Sequence, residues 1–149
     1  MGLIESGMKN TEAAQEMRDR YMVSPEKTAL AITIANRERE ILKDIDYENG
    51  YSLYIGIPFC PSICSYCSFS SSPVGEWKDK IDAYLDALIK ELKALGRMAG
   101  ERKPDTVYVG GGTPTTLEAG QLDRLLGTIR NCFDLSELKE FTAEAGRPD

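Results

Sequence analysis

The chain has 149 residues, 42% hydrophobic and 28% charged, a balance that suits a globular protein with a modest core and excludes disordered and fibrous classes. Its net charge of -6 argues against nucleic acid or an anionic membrane as the main partner, because both are met by clustered Lys and Arg. No apolar run approaches the roughly 18 residues that cross a bilayer, and residues 1–15 lack the basic start and apolar stretch of a signal peptide, so a cytoplasmic setting is expected.

Taken in chain order, Thr11 to Met22 is rich in Glu, Ala, Gln, Met and Arg and predicts a helix. It stops at Ser24-Pro25-Glu26, an N-cap followed by proline at the first helical position, which opens a second helix. Leu30, Ile34, Ile41 and Ile45 recur on one side of that helix and are expected to face a core, whereas the alternating charges of Arg37 to Glu40 form a solvated face. Asn49-Gly50 marks a turn, and the composition shifts there. Residues 1–49 therefore read as a helical lead-in and residues 50–149 as a separate βα part.

Tyr51 to Ile57 is aromatic, β-branched and roughly alternating, which predicts a strand closed by Pro58. After Ser70-Ser71-Ser72-Pro73, an amphipathic helix is expected over Asp79 to Met98, with Ile81, Tyr84, Leu85, Leu88, Leu92 and Leu95 inward. Gly100 and Pro104 end it. Thr106 to Val109 predicts a second strand, Gly110 to Thr115 a loop, and Thr115 with Glu118 a capping box for a helix burying Leu122, Leu125, Leu126 and Ile129. Lys139 to Ala145 predicts a third strand. Strands alternating with such helices imply βαβ units, a parallel sheet and right-handed crossovers. Three strands are too few to close a barrel, and the chain stops at Asp149, directly after the third, so a partial sequence is expected.

Histidine is absent, which removes histidine catalysis and His-ligated zinc from the chain's own resources. Of four cysteines, three crowd together as Cys60-Pro61-Ser62-Ile63-Cys64-Ser65-Tyr66-Cys67, and Cys132 stands alone. An odd cluster is a poor disulfide framework; in a reducing compartment it binds metal or does redox chemistry. The spacing CxxxCxxC falls at the C-terminal end of the first strand, where α/β folds place their sites. Thiolates select iron-sulfur clusters, zinc or copper(I), and a 4Fe-4S cluster ordinarily takes four cysteines. Three would leave one iron open to a substrate or cofactor. Two plainer readings stand beside this: a structural zinc site, which needs a fourth ligand that the remote Cys132 is poorly placed to give, and unrelated buried thiols. Cys132 itself reads as a small core residue.

Tyr54-Ile55-Gly56-Ile57-Pro58-Phe59-Cys60, the CxxxCxxC run, Gly110-Gly111-Gly112-Thr113-Pro114 and Glu144-Ala145-Gly146-Arg147-Pro148 together resemble the radical S-adenosylmethionine (SAM) superfamily. Within it they resemble the oxygen-independent coproporphyrinogen III oxidases, also called coproporphyrinogen dehydrogenases. The resemblance covers Tyr51 to Asp149, and the lead-in is similar to a segment that precedes the barrel in one branch, so Met1 is expected to be internal to a longer protein.

This resemblance implies an α/β fold, the N-terminal part of a partial (β/α)6 barrel, in which Cys60, Cys64 and Cys67 hold three irons of a 4Fe-4S cluster. The amino and carboxylate groups of SAM would chelate the fourth. An electron from a donor such as a flavodoxin or ferredoxin would cleave SAM to a 5′-deoxyadenosyl radical, which abstracts hydrogen from a porphyrinogen-type substrate and opens oxidative decarboxylation of propionate groups to vinyl groups. The resemblance further implies SAM contacts from Tyr54 near the cluster, from the loop of Gly110, Gly111, Gly112 and Thr113 at the amino group, and from Glu144 at the ribose. The backbone at Tyr66 would meet a second SAM, with Tyr66 and Phe59 shielding the cluster.

Read alone, each residue has an ordinary alternative. Tyr54 suits a core position, the glycines a tight turn, Thr113 and Pro114 a pinned and stiffened loop, and Glu144 an exposed strand end. The glycines also let backbone N–H groups approach a ligand closely. One position departs from the oxidase pattern, which continues with a cysteine where this chain has Phe69. A neighbouring branch with the same cysteine and glycine motifs acts as a heme chaperone, although Glu144-Ala145-Gly146-Arg147 sits closer to the oxidase-like branch. Oxidase, chaperone and zinc module all remain open on sequence alone.

Overall fold

A computed structural model describes residues 2–46 and 49–146; Arg147, Pro148 and the terminal Asp149 lie outside the described residues. The chain divides into two compact units, Met1–Ile45 and Asp46–Asp149.

The first unit holds helices α1 (Gly2–Glu5), α2 (Asn10–Asp19) and α3 (Pro25–Leu42). Ser24 caps α3 as expected, its hydroxyl accepting from Lys27 N at 3.4 Å with Pro25 in the first turn. Helix α2 stops at Asp19 rather than Met22, whose φ of 53° places it in the left-handed region, a turn rather than a helix. The core of this unit is Ile4, Ala13 and Ala35, with Leu3 and Ile32 against it. The expected inner face of α3 is therefore wrong. Leu30, Ile34 and Ile41 are 59%, 46% and 64% exposed, and Ile45 lies beyond the helix. The inward stripe is instead Thr28, Ile32 and Ala35, spaced i, i+4, i+7. The buried residues on this stripe, Thr28 and Ala35, are small and let α3 lie close on α2, so fit prevails over bulk apolarity.

The second unit holds β1 (Tyr51–Ile57), β2 (Phe59–Cys60), β3 (Ser72–Pro73), α4 (Val74–Trp77), α5 (Ile81–Ala99), β4 (Pro104–Gly111), α6 (Ala119–Cys132) and β5 (Glu140–Ala143). Strands β1, β4 and β5 form a parallel sheet in that order, with Tyr54 beside Tyr108 and Tyr108 beside Thr142. One face packs on α5 and α6. Leu53, Ile55, Ile57, Val107 and Val109 alternate toward Ile81, Leu85, Leu92, Leu125 and Ile129, each buried side chain contributing about 1.5–3 kcal/mol. Leu95, expected inward, is 39% exposed. The opposite face carries Ser52, Tyr54, Thr106, Tyr108 and Thr142, and Tyr54 is 61% exposed there. The expected parallel βαβ architecture is present.

Three local expectations fail for identifiable reasons. Pro104 opens β4 instead of merely ending the helix, because a first strand residue tolerates a missing N–H, and the strand runs on through Gly110 and Gly111. Pro58 does not end the extended chain, which resumes as β2. Thr115 lies in a short 3-10 turn, and α6 is capped by Glu118, whose N–H donates to Gln121 Oε1 at 3.0 Å. Gln121 Nε2 in turn donates to Asp82 at 3.0 Å, and Arg124 to Asp86 at 2.9 Å, fastening α6 to α5. At the far edge buried Asp105 pairs with Lys139 at 2.7 Å, joining the starts of β4 and β5. Among the described residues, no helix is long and apolar enough to cross a membrane.

Candidate metal and cofactor site

The cysteine loop is pinched at its base. Phe59–Cys60 pairs in parallel with Ser72–Pro73, and Ser72 N donates to the Pro58 carbonyl at 2.7 Å. Within the loop Cys67 N donates to the Cys64 carbonyl at 3.0 Å, closing a tight turn. Cys60 is buried, Cys64 and Cys67 are half-buried, and all are free thiols. All three line one cavity of about 680 Å³, within the size range of small-molecule sites.

Gly111, Gly112 and Thr113, at the end of β4, line the same cavity. Gly112 N donates to Ile57 O and Thr113 N to Phe59 O, both at 2.7 Å, which zips this segment to β1 and β2. Gly111 has a φ of +107°, a conformation that favours glycine. Gly112 is required by crowding, since a Cβ there would stand 2.6 Å from Phe59 O and 3.0 Å from Cys60 Sγ. These amides are committed inside the protein, Gly111 N to Glu144 Oε2 at 3.0 Å and Gly112 N to Ile57. The expectation that they reach out to a ligand is thus corrected: buried N–H groups must be paired, and here the fold pairs them. Buried Thr113 donates its hydroxyl to Cys60 Sγ at 3.5 Å, the kind of outer partner that orients a metal ligand.

Glu144, just past β5, also lines the cavity. Its Oε1 accepts from the Tyr108 hydroxyl at 2.6 Å and its Oε2 from Gly111 N. The Tyr108 phenol is pushed above its ordinary value, first by that hydrogen bond to Glu144 and then by burial and negative charge, so it stays protonated and donating. Tyr108 escaped the sequence reading. Alternation puts Tyr108 on the same strand face as Thr106 and Gly110, but its place beside Tyr54 comes from the register of β1 and β4.

Tyr54 stands beside the cavity, not in its lining. Its ring stacks on Tyr108 at 5.7 Å, and its hydroxyl is 3.5 Å from where a Gly111 Cβ would be. Phe59 turns the other way, 3% exposed and edge-on to Tyr84 at 5.3 Å, so it belongs to the core and does not shield the cysteines. Tyr66 and Phe69 line the mouth, 87% and 67% exposed. Cys132 packs against the α5–α6 core, away from the cavity.

The donor set can be tested against the two metal readings. A structural zinc takes four ligands, chiefly Cys and His, whereas the cavity offers three cysteines and the chain has no histidine. Three soft thiols lining one cavity fit a cluster with an iron at each of several corners. The cavity beside Cys60 and the Glu144 carboxylate that lines it fit a polar ligand next to the cluster.

Comparison with known proteins gives a consistent result. No family model matches. The oxygen-independent coproporphyrinogen-III oxidase-like protein HemZ of Bacillus subtilis is 35% identical over 150 residues, covering 98% of this chain and 30% of that protein. The heme chaperone HemW of Lactococcus lactis is 45% identical over 98 residues, covering 66% of this chain and 24% of that protein. Among solved structures, coproporphyrinogen III oxidase (HemN) from Escherichia coli, a radical SAM enzyme, is similar with a TM-score of 0.58 and 29% identity, over 72% of this chain and 25% of that one. The chain thus spans between about a quarter and a third of the length of these relatives.

Proposed function

Since the chain belongs to the radical SAM family of oxygen-independent coproporphyrinogen III oxidases and their HemZ and HemW relatives, we propose that Cys60, Cys64 and Cys67 bind a 4Fe-4S cluster beside a SAM site. The observation that carries this reading is the shared cavity: three thiols line it together with Glu144, Gly111 and Gly112. When bound, the cluster supplies the electron that cleaves SAM to a hydrogen-abstracting 5′-deoxyadenosyl radical.

The chain's own residues bind and orient. Thr113 holds the Cys60 sulfur, Gly112 lets the backbone pass close beside it, and Glu144 accepts hydroxyl hydrogens from the ribose. Tyr54 bounds the SAM site from the helix-free face of the sheet, and Tyr66 marks the mouth where a second SAM enters. The substrate is a porphyrinogen, coproporphyrinogen III, whose propionate groups undergo oxidative decarboxylation in heme biosynthesis. The electron donor is a flavodoxin or ferredoxin, and the setting is cytoplasmic.

A second reading, heme chaperoning, is favoured by the 45% identity to a HemW and by Phe69 at the position where the oxidase pattern has a cysteine. Anaerobic incubation of the reconstituted protein with SAM, reductant and coproporphyrinogen III separates the two. Decarboxylated product forming with 5′-deoxyadenosine is the expected outcome. Stoichiometric heme retention with no decarboxylated product would replace the oxidase with the chaperone.

A further inference from the structure

We propose that Tyr108 is a positioning residue, fixing the Glu144 carboxylate in the orientation in which it receives two adjacent hydroxyls of a ligand, as in the ribose of SAM. This rests on the reading that Glu144 is a ligand-binding residue. A carboxylate has about four acceptor sites. Tyr108 takes one on Oε1 and Gly111 N one on Oε2, which leaves each oxygen able to accept once more, side by side, at the cavity that Glu144 lines. Two neighbouring acceptors on one rigid group suit a vicinal diol. Held only by Gly111, the side chain would swing about its own torsions and lose that orientation; ordering it before the ligand arrives lowers the cost of binding.

Tyr108 is itself held. Its ring lies 5.7 Å from Tyr54 at an interplanar angle of 11°. Gly110 makes room beneath the pair: a Cβ there would collide with Tyr108 Cε1 and stand 2.9 Å from Glu144 Cδ. Ring stack, missing side chain and hydrogen bond converge on one carboxylate, which ordinary strand packing does not require.

Calorimetric titration of SAM into anaerobically reconstituted protein tests this, with Tyr108→Phe, Glu144→Ala and the double variant compared. Iron content and thermal midpoint are measured on the same samples. Tyr108→Phe should weaken SAM about tenfold, the worth of one hydrogen bond to a charged group, with cluster and fold retained. In the Glu144→Ala background the same change should cost less than about twofold, because its route to the ligand is gone. An equal factor in both backgrounds would overturn the proposal, as would wild-type affinity in Tyr108→Phe. A Tyr108→Phe protein that loses its cluster or fold would also overturn it, since the hydroxyl would then be structural. Unchanged affinity in Glu144→Ala alone would remove the reading of Glu144 and the proposal with it.

Discussion

Replacing Cys64 with Ala is expected to abolish iron-sulfur cluster assembly, leaving less than about a tenth of the wild-type iron after anaerobic reconstitution, because binding at such sites depends on every deprotonated ligand. Cys60, Cys64 and Cys67 are the cysteines of the cavity, so no spare thiol takes over. Cys132 packs on the α5–α6 core instead, and Cys132→Ala should retain the cluster. Iron and sulfide assays with the visible absorbance of the cluster check this. A cluster that survives in Cys64→Ala at wild-type content would mean that the loop is not its cradle.

Gly112→Ala should be nearly as damaging although it adds a single methyl group. The new Cβ would lie 2.6 Å from Phe59 O and 2.8 Å from Ile57 O, backbone atoms that do not swing aside, and 3.0 Å from Cys60 Sγ. Relief requires β4 to move away from β1 and β2, which loosens the bonds from Gly112 N and Thr113 N. Overpacking of this kind costs about 1–3 kcal/mol, and displacement of Cys60 should lower cluster content in parallel. Gly127, inside α6 with nothing within 4 Å of its Cβ position, provides the contrast: Gly127→Ala is expected to stabilise by about 0.5–1 kcal/mol through helix propensity. Chemical denaturation of the three proteins checks both signs, and a Gly112→Ala chain as stable as wild type would remove the steric argument.

The order of elements in the βα part was legible because strands and helices there have different periods. Leu53, Ile55 and Ile57 alternate, whereas Leu85, Leu88 and Leu92 recur every three or four residues. The lead-in was not legible in the same way. Its most apolar stripe, Leu30 with Ile34 and Ile41, is exposed, because the close approach of α2 and α3 selects Ala13 and Ala35. Termini of elements were also misjudged, since Pro104 and Thr115 carry signals that serve equally for a stop and a start.

In the site, the cysteines were legible from their spacing and Glu144 only through the family resemblance, and all four line one cavity. The roles given to the glycine amides did not follow, because whether an N–H is free depends on partners far along the chain, here Ile57 and Glu144. Tyr108 was missed for a related reason. Its importance lies in pairings with Tyr54 and Glu144 across strands, which become visible only once register is known.

The central claim is an iron-sulfur cluster open to SAM on the wall formed by Cys60, Cys64 and Cys67. Electron paramagnetic resonance of the anaerobically reconstituted, dithionite-reduced protein, recorded with and without SAM, tests it most directly. A reduced 4Fe-4S signal that shifts when SAM is added is the expected result. A cluster signal indifferent to SAM, or stable zinc uptake with no iron retained, would contradict it.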